Sequence, residues 1–478
     1  MTTLARPVAR RFTPTLTIAG AGVAMGLAYT LSPLAVLSLA VIATVAGAAS
    51  EGLSAGERRW FWFLLCSATL LRLIAVAGLF LTADPSQPFA SFFGDEELYK
   101  FRTVWIRNLG QDIPISPADV IYSFDDVGRT EHLFALALVQ ALVGDAPYGL
   151  HMLSVAVYMC GVLLLYRFMR PAFGGVVALG GLAGLMFIPS LAIWSMSVLK
   201  EPMNVLVLAA ELLCAVYVVR APLWWQKVLA AAGVASFGLA MDSLRGGGLV
   251  TAIGGTVAGV AGAWLVARGR RVLVALMLAP FVLAALVSMP SVQERLLANL
   301  RETAFHHAGH VVTAGYTYEL INPRYYPNRV QILRSMPADD LARYFIAAIW
   351  SYFVQPVPWA ASRPVRAYLP EQIAWYGMVL LLPFGVLAGL RRDRTLTVML
   401  VTHAAAAVVV VALTSGNVGT LIRHRSLVLL YLIWLSAIGA HDCIRRMLAR
   451  RVTLTTLHPR GAELTGGREE GSRADGDR

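Results

Sequence analysis

The sequence predicts an all-α polytopic membrane protein, because three features point to repeated crossings of a bilayer. Of its 478 residues, 57% are hydrophobic and only 14% are charged, a balance that soluble proteins rarely show. Apolar runs of about 20 residues, enough to cross roughly 30 Å of hydrocarbon, recur along most of the chain. Short basic loops separate these runs, as they do in multi-pass proteins.

About twelve runs qualify as transmembrane spans, and Pro33 divides the first two into a tight hairpin. The predicted spans are 15–31, 33–49, 60–82, 147–166, 172–190, 200–219, 227–242, 247–267, 271–289, 369–390, 395–414 and 425–442. This divides the chain into a basic N-terminus (1–14), a transmembrane hairpin (15–49), a main transmembrane domain (60–442) and a basic, then disordered, tail (443–478).

Clusters of basic residues fall on one side of the predicted membrane, from Arg10-Arg11 at the N-terminus to the stretch Arg445–Arg451. The positive-inside rule makes their side cytoplasmic and places both termini inside. Two long polar loops, 83–146 and 290–368, then lie outside, with short interfacial helices near 132–143 and 341–354. The expected location is a bacterial inner membrane, with the active site facing the periplasm or exterior.

The net charge of +12 lies mostly on arginines in the short loops. Anionic membrane lipids are therefore the expected partners, and nucleic acid is not. The four cysteines are scattered without metal-binding spacing. His306, His307 and His310 have no acidic or cysteine partner at matching spacing and are read as part of a solvated loop. We predict no cofactor and no metal site, although a divalent cation remains an option.

Most of the conspicuous charges collect on the outer side. Asp95-Glu96 follows a predicted span, in a polar loop. A carboxylate there can accept the proton of a hydroxyl that attacks an anomeric carbon; the alternative is an ordinary solvated acid.

Several cations share that side and suit phosphate binding. Lys200 with Glu201 opens one span, where snorkelling of the lysine is an equal alternative. Arg423 and Arg425 open the last span and offer planar donor forks that match phosphate oxygens, with interhelical salt bridges as the alternative.

Arg245 is a further phosphate candidate. It follows Asp242 by three residues, a spacing that favours an ion pair between the two. The loop 290–368 adds candidate donor or acceptor contacts at Tyr316, Arg324, Tyr325 and Arg329.

On these residues the region 60–442 resembles the GT-C superfamily of integral membrane glycosyltransferases. It is most similar to bacterial relatives of the protein O-mannosyltransferases and aminoarabinose transferases, although the hairpin 15–49 departs from their usual order. The resemblance implies a polyprenyl-phosphate-linked sugar donor, an acceptor glycan, lipid or protein, and inversion at the anomeric carbon. It further implies Asp95 as general base with Glu96 second, and Lys200, Arg423 and Arg425 on the lipid phosphate.

Two other functions stay open. An O-antigen polymerase or ligase acting on a lipid-diphosphate glycan would use the Arg- and His-rich loop 290–368 and would leave Asp95-Glu96 without a role. A flippase for lipid-linked oligosaccharides, or another transporter, would instead need charges near the middle of the membrane.

Overall fold

The chain folds into a bundle of α-helices. This computed structural model describes residues 9–84, 90–124, 131–267, 278, 281, 285, 288–312, 316–326, 333–360 and 366–457. Within those ranges no β-strand occurs, and an isolated antiparallel bridge joins Thr317 to Asn417. The α-helices are α1 Ala9–Leu31, α2 Pro33–Ala49, α3 Ala55–Thr82, α4 Gly94–Gly110, α5 Pro117–Ser123, α6 Glu131–Val143, α7 Pro147–Phe173, α8 Gly175–Phe187, α9 Pro189–Trp194, α10 Glu201–Arg220, α11 Trp224–Leu244, α12 Gly255–Ala267, α13 Pro290–Val311, α14 Ala338–Val354, α15 Leu369–Arg392, α16 Arg394–Thr414, α17 Val418–His424 and α18 Ser426–Leu457.

Eight helical segments are long and apolar enough to cross a membrane, judged by length and composition over the described residues. A multi-pass membrane protein is therefore supported. Three predicted spans, 15–31, 33–49 and 172–190, coincide instead with shorter apolar helices. Most of the predicted span 271–289 lies outside the described residues. The eight segments are α3, α7, α10, α11, Val250–Ala267, α15, α16 and the first 24 residues of α18.

Local sequence signals set several helix boundaries. Ser32 separates α1 from α2, and its hydroxyl accepts a hydrogen bond from Leu34 N just after Pro33, as expected of an N-cap followed by proline. A capping box between Ser54 and Glu57 starts α3. These signals place the first hairpin where Pro33 predicts it.

The interior is built by pairing of long helices, among them α15 with α18, α10 with α11, α2 with α7 and α12 with α16. Glycines bring α15 and α18 into backbone contact. A Cβ on Gly385 would lie 1.9 Å from the Leu435 carbonyl oxygen, and one on Gly439 would lie 2.3 Å from that of Leu381. Small residues commonly serve this purpose where helices pack inside membranes.

The predicted span 172–190 is not continuous. Its helix begins only after Gly174, at φ 90°, and breaks between α8 and α9 because Pro189 cannot donate a hydrogen bond to the Leu185 carbonyl. The Tyr158 hydroxyl donates to that carbonyl instead, at 2.5 Å. Arg72 Nη2 donates to the next carbonyl, of Met186, at 3.0 Å. Side chains of α7 and α3 thus supply hydrogen bonds to the two carbonyl groups at the break.

Candidate functional site

Arg423, in α17, joins three segments that are far apart in sequence. Its Nε donates to Glu201 Oε1 at 2.5 Å, in the first turn of α10, and its Nη1 donates to Asp95 Oδ2 at 3.0 Å, in α4. Asn417 caps the start of α17, accepting from Thr420 N. These contacts bring together the candidate base and two of the candidate phosphate-binding residues.

Asp95 and Glu96 lie in the first turn of α4 and not in a loop as the sequence suggests. Carboxylates are favourable there because the helix N-terminus carries partial positive charge. Consecutive helical residues point about 100° apart, so the two acids separate. The Asp95 side chain is 69% exposed beside Arg423, whereas Glu96 is fully buried.

Glu96 belongs to a second polar cluster, formed with Lys100 and His151. Its Oε2 accepts a hydrogen bond from Phe92 N and lies 3.9 Å from His151 Nε2. Lys100 Nζ donates to His151 Nε2 at 2.9 Å and to the Ala90 carbonyl at 2.5 Å. Burial raises the pKa of the Glu96 carboxyl above its usual value. This cluster holds the segment that leads into α4.

Lys200 and Arg245 are cations that form no described ion pair, although the charge of Glu201 acts on both. Both are half-buried, and none of the described hydrogen bonds or ion pairs involves the side chain of either residue. Burial first, and then the charge of Arg245, lowers the pKa of Lys200 to about 8. Burial lowers the pKa of Arg245 to about 10. Two cations held in this state are poised to bind an anion.

The ion pair that spacing favours between Asp242 and Arg245 is not formed among the described contacts. The helix ends at Leu244, and Arg245 has an extended backbone, with φ −159° and ψ 124°. Its side chain therefore leaves the helix face on which Asp242 lies, and Asp242 accepts from Leu249 N instead.

Together, Lys200, Arg245 and Arg423 form what we call the basic cluster, with Glu201 and Asp95 as its acidic members. Glu201 is 3% exposed, and its Oε2 has no hydrogen-bond partner among the described atoms. Burial lowers the pKa of Arg423, but the charges of Glu201 and Asp95 outweigh burial and raise this pKa above its usual value. The sum of three positive and two negative side chains leaves one positive charge.

An aromatic pair lies beside the basic cluster. Trp194 stacks on Phe93 with ring centroids 3.9 Å apart, and the guanidinium carbon of Arg423 lies 5.3 Å from the centre of the Trp194 ring. The indole therefore orients Arg423 by a cation–π contact.

Arg425 is not brought to this site. Its guanidinium is 3% exposed and donates to Gln372 Oε1 at 2.6 Å, to the Tyr352 carbonyl at 2.9 Å and to the Gln355 carbonyl. It also lies 4.5 Å from the centre of the Trp375 ring. These contacts tie α14 to α15, and they occupy the donors that a phosphate would need.

The candidates of the loop 290–368 form a separate group. Arg324 Nη2 donates to Asp340 Oδ2 at 2.6 Å, and the Tyr325 hydroxyl donates to the same oxygen at 2.5 Å. Tyr316 lies closer to the basic cluster, because its carbonyl accepts from Val418 N at the start of α17. Arg329 lies outside the described residues.

The histidines at 306, 307 and 310 are not in a solvated loop but on helix α13. His307 is fully buried, and its Nδ1 donates to the Ser415 carbonyl at 2.7 Å. His310 Nδ1 donates to the Thr414 carbonyl at 2.6 Å. Over the described residues, no group of three or more His, Cys, Asp or Glu side chains is arranged to hold a metal ion.

Residues that the sequence analysis did not single out hold the segment before Lys200. His151 Nδ1 donates to the Met196 carbonyl at 2.7 Å, and His132 Nε2 donates to the Val198 carbonyl at 3.0 Å. Arg72 Nε donates to Ser195 Oγ at 2.7 Å. An ionisable residue inside an apolar run, such as Arg72 or His151, was the available signal.

A second buried pair lies midway along two predicted spans. His403 Nε2 of α16 is 3.2 Å from Glu211 Oε2 of α10, and both side chains are fully buried. Thr256 Oγ1 donates to Glu211 Oε1 at 2.8 Å. A π-helical turn, Val250–Gly254, precedes Gly255, where a Cβ would lie 2.7 Å from the His403 ring. Gly255 thus lets α12 approach α16 closely.

Comparison with protein-family profiles, curated proteins and solved structures found no match to this chain. The chemistry of the basic cluster is therefore inferred from its own geometry.

Proposed function

We propose that this chain is a membrane glycosyltransferase that moves a sugar from a polyprenyl-phosphate donor to an acceptor glycan, lipid or protein outside the cytoplasm. The observation that carries the proposal is the basic cluster, in which Lys200 and Arg245 form no described ion pair and lie beside an exposed carboxylate, Asp95. Phosphate-binding cations next to an accessible base are what sugar transfer from a lipid phosphate requires.

Each side chain has a defined role in this proposal. Lys200, Arg245 and Arg423 bind the donor phosphate and stabilise the charge that develops as it leaves. Glu201 orients Arg423 through the 2.5 Å contact. Asp95 uses its second oxygen, Oδ1, to accept the proton of the acceptor hydroxyl, which attacks the anomeric carbon as the bond to the phosphate breaks with inversion.

Asp95 suits the role of base better than Glu96. A base must reach the proton that it removes, and Asp95 is 69% exposed whereas Glu96 is fully buried. The raised proton affinity of Glu96 would favour base chemistry, but its oxygens face Phe92 N, Lys100 and His151. We assign Glu96 to positioning of the α4 start.

Two observations support a lipid-linked donor at a membrane. Eight helical segments are apolar enough to span a bilayer, and clusters of basic residues fall in the loops of one predicted side. In this topology, the basic cluster lies at the outer face of a bacterial cytoplasmic membrane. ATP and sugar nucleotides are normally absent there, which favours a lipid-carried sugar.

The test is a transfer assay with purified protein in proteoliposomes that contain a radiolabelled polyprenyl-phosphate sugar, supplied with an extract of envelope acceptors. We expect Asp95→Asn to lose at least about 100-fold in turnover, as removal of a general base does. Glu97→Gln is the matched control, because it removes another exposed charge from the same helix turn. Equal activity of Asp95→Asn and wild type would contradict the proposal.

A lipid-diphosphate ligase is a second candidate, favoured by one observation. His310, from the Arg- and His-rich loop, packs on His424 with ring centroids 6.4 Å apart, next to Arg423. A ligase would keep activity in Asp95→Asn and Glu96→Gln and lose it in Arg423→Ala, so the same assay with a lipid-diphosphate donor distinguishes the two.

A transporter is a third candidate, favoured by the buried pair Glu211 and His403 midway along its helices. Translocation of the lipid-linked sugar across the proteoliposome membrane without any glycosyl transfer would support it and would exclude the enzyme.

A further inference from the structure

His424 is a buried titratable residue beside the basic cluster to which the proposed function gives no role. It ends α17 next to Arg423, its side chain is 9% exposed, and its Nδ1 has no hydrogen-bond partner among the described atoms. A buried imidazole nitrogen without a partner is unusual and calls for an explanation.

The charged groups that act most strongly on His424 are all basic. From other elements it is faced by Arg245 after α11, Lys200 before α10 and His310 of α13, and from its own helix by Arg423. Burial first, and then the charge of Arg245, holds the pKa of His424 well below its usual value. In the free protein the ring is therefore neutral at physiological pH.

An anion in the basic cluster would reverse this balance. The bound negative charge would offset the charges of Lys200 and Arg245 and would supply an acceptor for a ring N–H. Both effects favour the imidazolium form. His424 thus has a reason to be neutral before binding and charged after it.

We propose that His424 is a proton-accepting ligand of the anion site, which takes up one proton when a phosphodiester headgroup binds in the basic cluster. The inference rests on the proposed function for the existence of the anion site and adds a residue, a proton and a pH dependence to it. The proton comes from solvent and is released when the phosphate leaves.

The sign of the pH dependence follows from the direction of the change. A group with a higher pKa in the bound state than in the free state strengthens binding at low pH. The gain is lost as the pH rises through the pKa of the bound state, which the anion raises toward the ordinary histidine range. Affinity should therefore fall between about pH 6 and pH 8.

Lys200 responds in a different pH range. Its pKa is lowered to about 8 in the free protein, so it is already protonated at pH 6 and contributes proton uptake only near or above pH 8. Measurements at pH 6 therefore exclude Lys200 as the source of the proton uptake, and the histidine variants assign it.

The experiment is isothermal titration calorimetry of the full chain in detergent micelles, at pH 6, in two buffers of different ionisation enthalpy. The probe is methyl farnesyl phosphate, a diester without the second ionisation near pH 6 that a monoester has. Dimethyl phosphate is titrated in parallel, so that a lipid headgroup is distinguished from a free phosphate diester. We expect uptake of about one proton per bound farnesyl diester.

The variants assign the proton. His424→Gln should bind without proton uptake and with no pH dependence of Kd between pH 6 and pH 7, whereas the matched control His310→Gln should keep the uptake. Uptake that persists in His424→Gln, or binding to wild type without uptake, overturns the inference. A flat Kd between pH 6 and pH 8 in wild type overturns it even if both variants fail to fold.

Failure of the underlying site is recognised separately. If wild type binds neither diester, the anion site is absent and the proposed function fails with it. If dimethyl phosphate binds as tightly as the farnesyl diester and with the same uptake, the proton assignment holds and the lipid part of the substrate is refuted.

Discussion

Arg423 and Arg425 are two residues apart, yet their side chains make different contacts. Replacement of each arginine by lysine should therefore affect ligand binding in one case and stability in the other. Arg425→Lys keeps the charge but replaces a fork that reaches three acceptors with a single ammonium. Loss of one charged hydrogen bond costs about 1.5–3 kcal/mol, and loss of the contact with Trp375 adds about 0.5–2 kcal/mol. We expect about 2–5 kcal/mol less stability.

Arg423→Lys should show the opposite pattern. The charge beside Glu201 is kept, so the buried carboxylate is not left without a cation, and the contact with the exposed Asp95 contributes little. The loss of stability should therefore be smaller than that of Arg425→Lys. Loss of the planar fork should weaken binding of methyl farnesyl phosphate about tenfold, equivalent to about 1.4 kcal/mol.

The assay is denaturant unfolding in micelles for stability, with calorimetry for Kd at a temperature where both variants are folded. The expected result is a destabilised Arg425→Lys with wild-type Kd and a less destabilised Arg423→Lys with weaker binding. Weaker binding by Arg425→Lys at unchanged stability would refute the division of roles.

Three further outcomes are expected. Tyr158→Phe should lower the free energy of unfolding by about 1–2 kcal/mol, because a buried carbonyl loses its donor; a Pro189→Ala background, which restores a backbone N–H, should reduce that loss in a double-mutant cycle. Glu211→Leu should destabilise the fold by about 3 kcal/mol, whereas the double change with His403→Leu should recover most of it; additive losses in unfolding would argue against a coupled pair. Above the pH range in which His424 acts, binding of the diester should weaken further as the pH rises past about 8 and Lys200 loses its charge, whereas Lys200→Arg should keep the affinity that it has at pH 8 up to about pH 9.5. A parallel decline in both proteins above pH 8 would show that another group titrates.

The sequence predicts the helical, membrane-spanning character well, because apolar length and loop charge are local properties. The sequence analysis predicted an unbroken span 172–190 and missed the break before Pro189, although proline inside an apolar run removes a hydrogen-bond donor. What satisfies the freed carbonyls was not readable, because Arg72 and Tyr158 come from helices more than 25 residues away in sequence.

The grouping of the candidate site residues was predicted in part. Asp95, Lys200 and Arg423 were chosen as candidates because of their charge and their predicted place on the outer side of the membrane. The structure brings these three residues together. The sequence could not distinguish Arg423 from Arg425, because only the fold decides which guanidinium meets backbone carbonyls. It also could not show that α4 begins at Gly94 and turns Glu96 away from Asp95.

The anion site is tested most directly by the affinity of methyl farnesyl phosphate for wild type and for Lys200→Gln/Arg245→Gln, a variant that removes the two cations without a described ion pair. The uncharged methyl farnesyl ether serves as control ligand. We predict binding of the phosphate at least about 100-fold weaker in the variant, at roughly tenfold for each charged contact, with equal affinity for the ether. Equal affinity of both proteins for the phosphate would contradict the account.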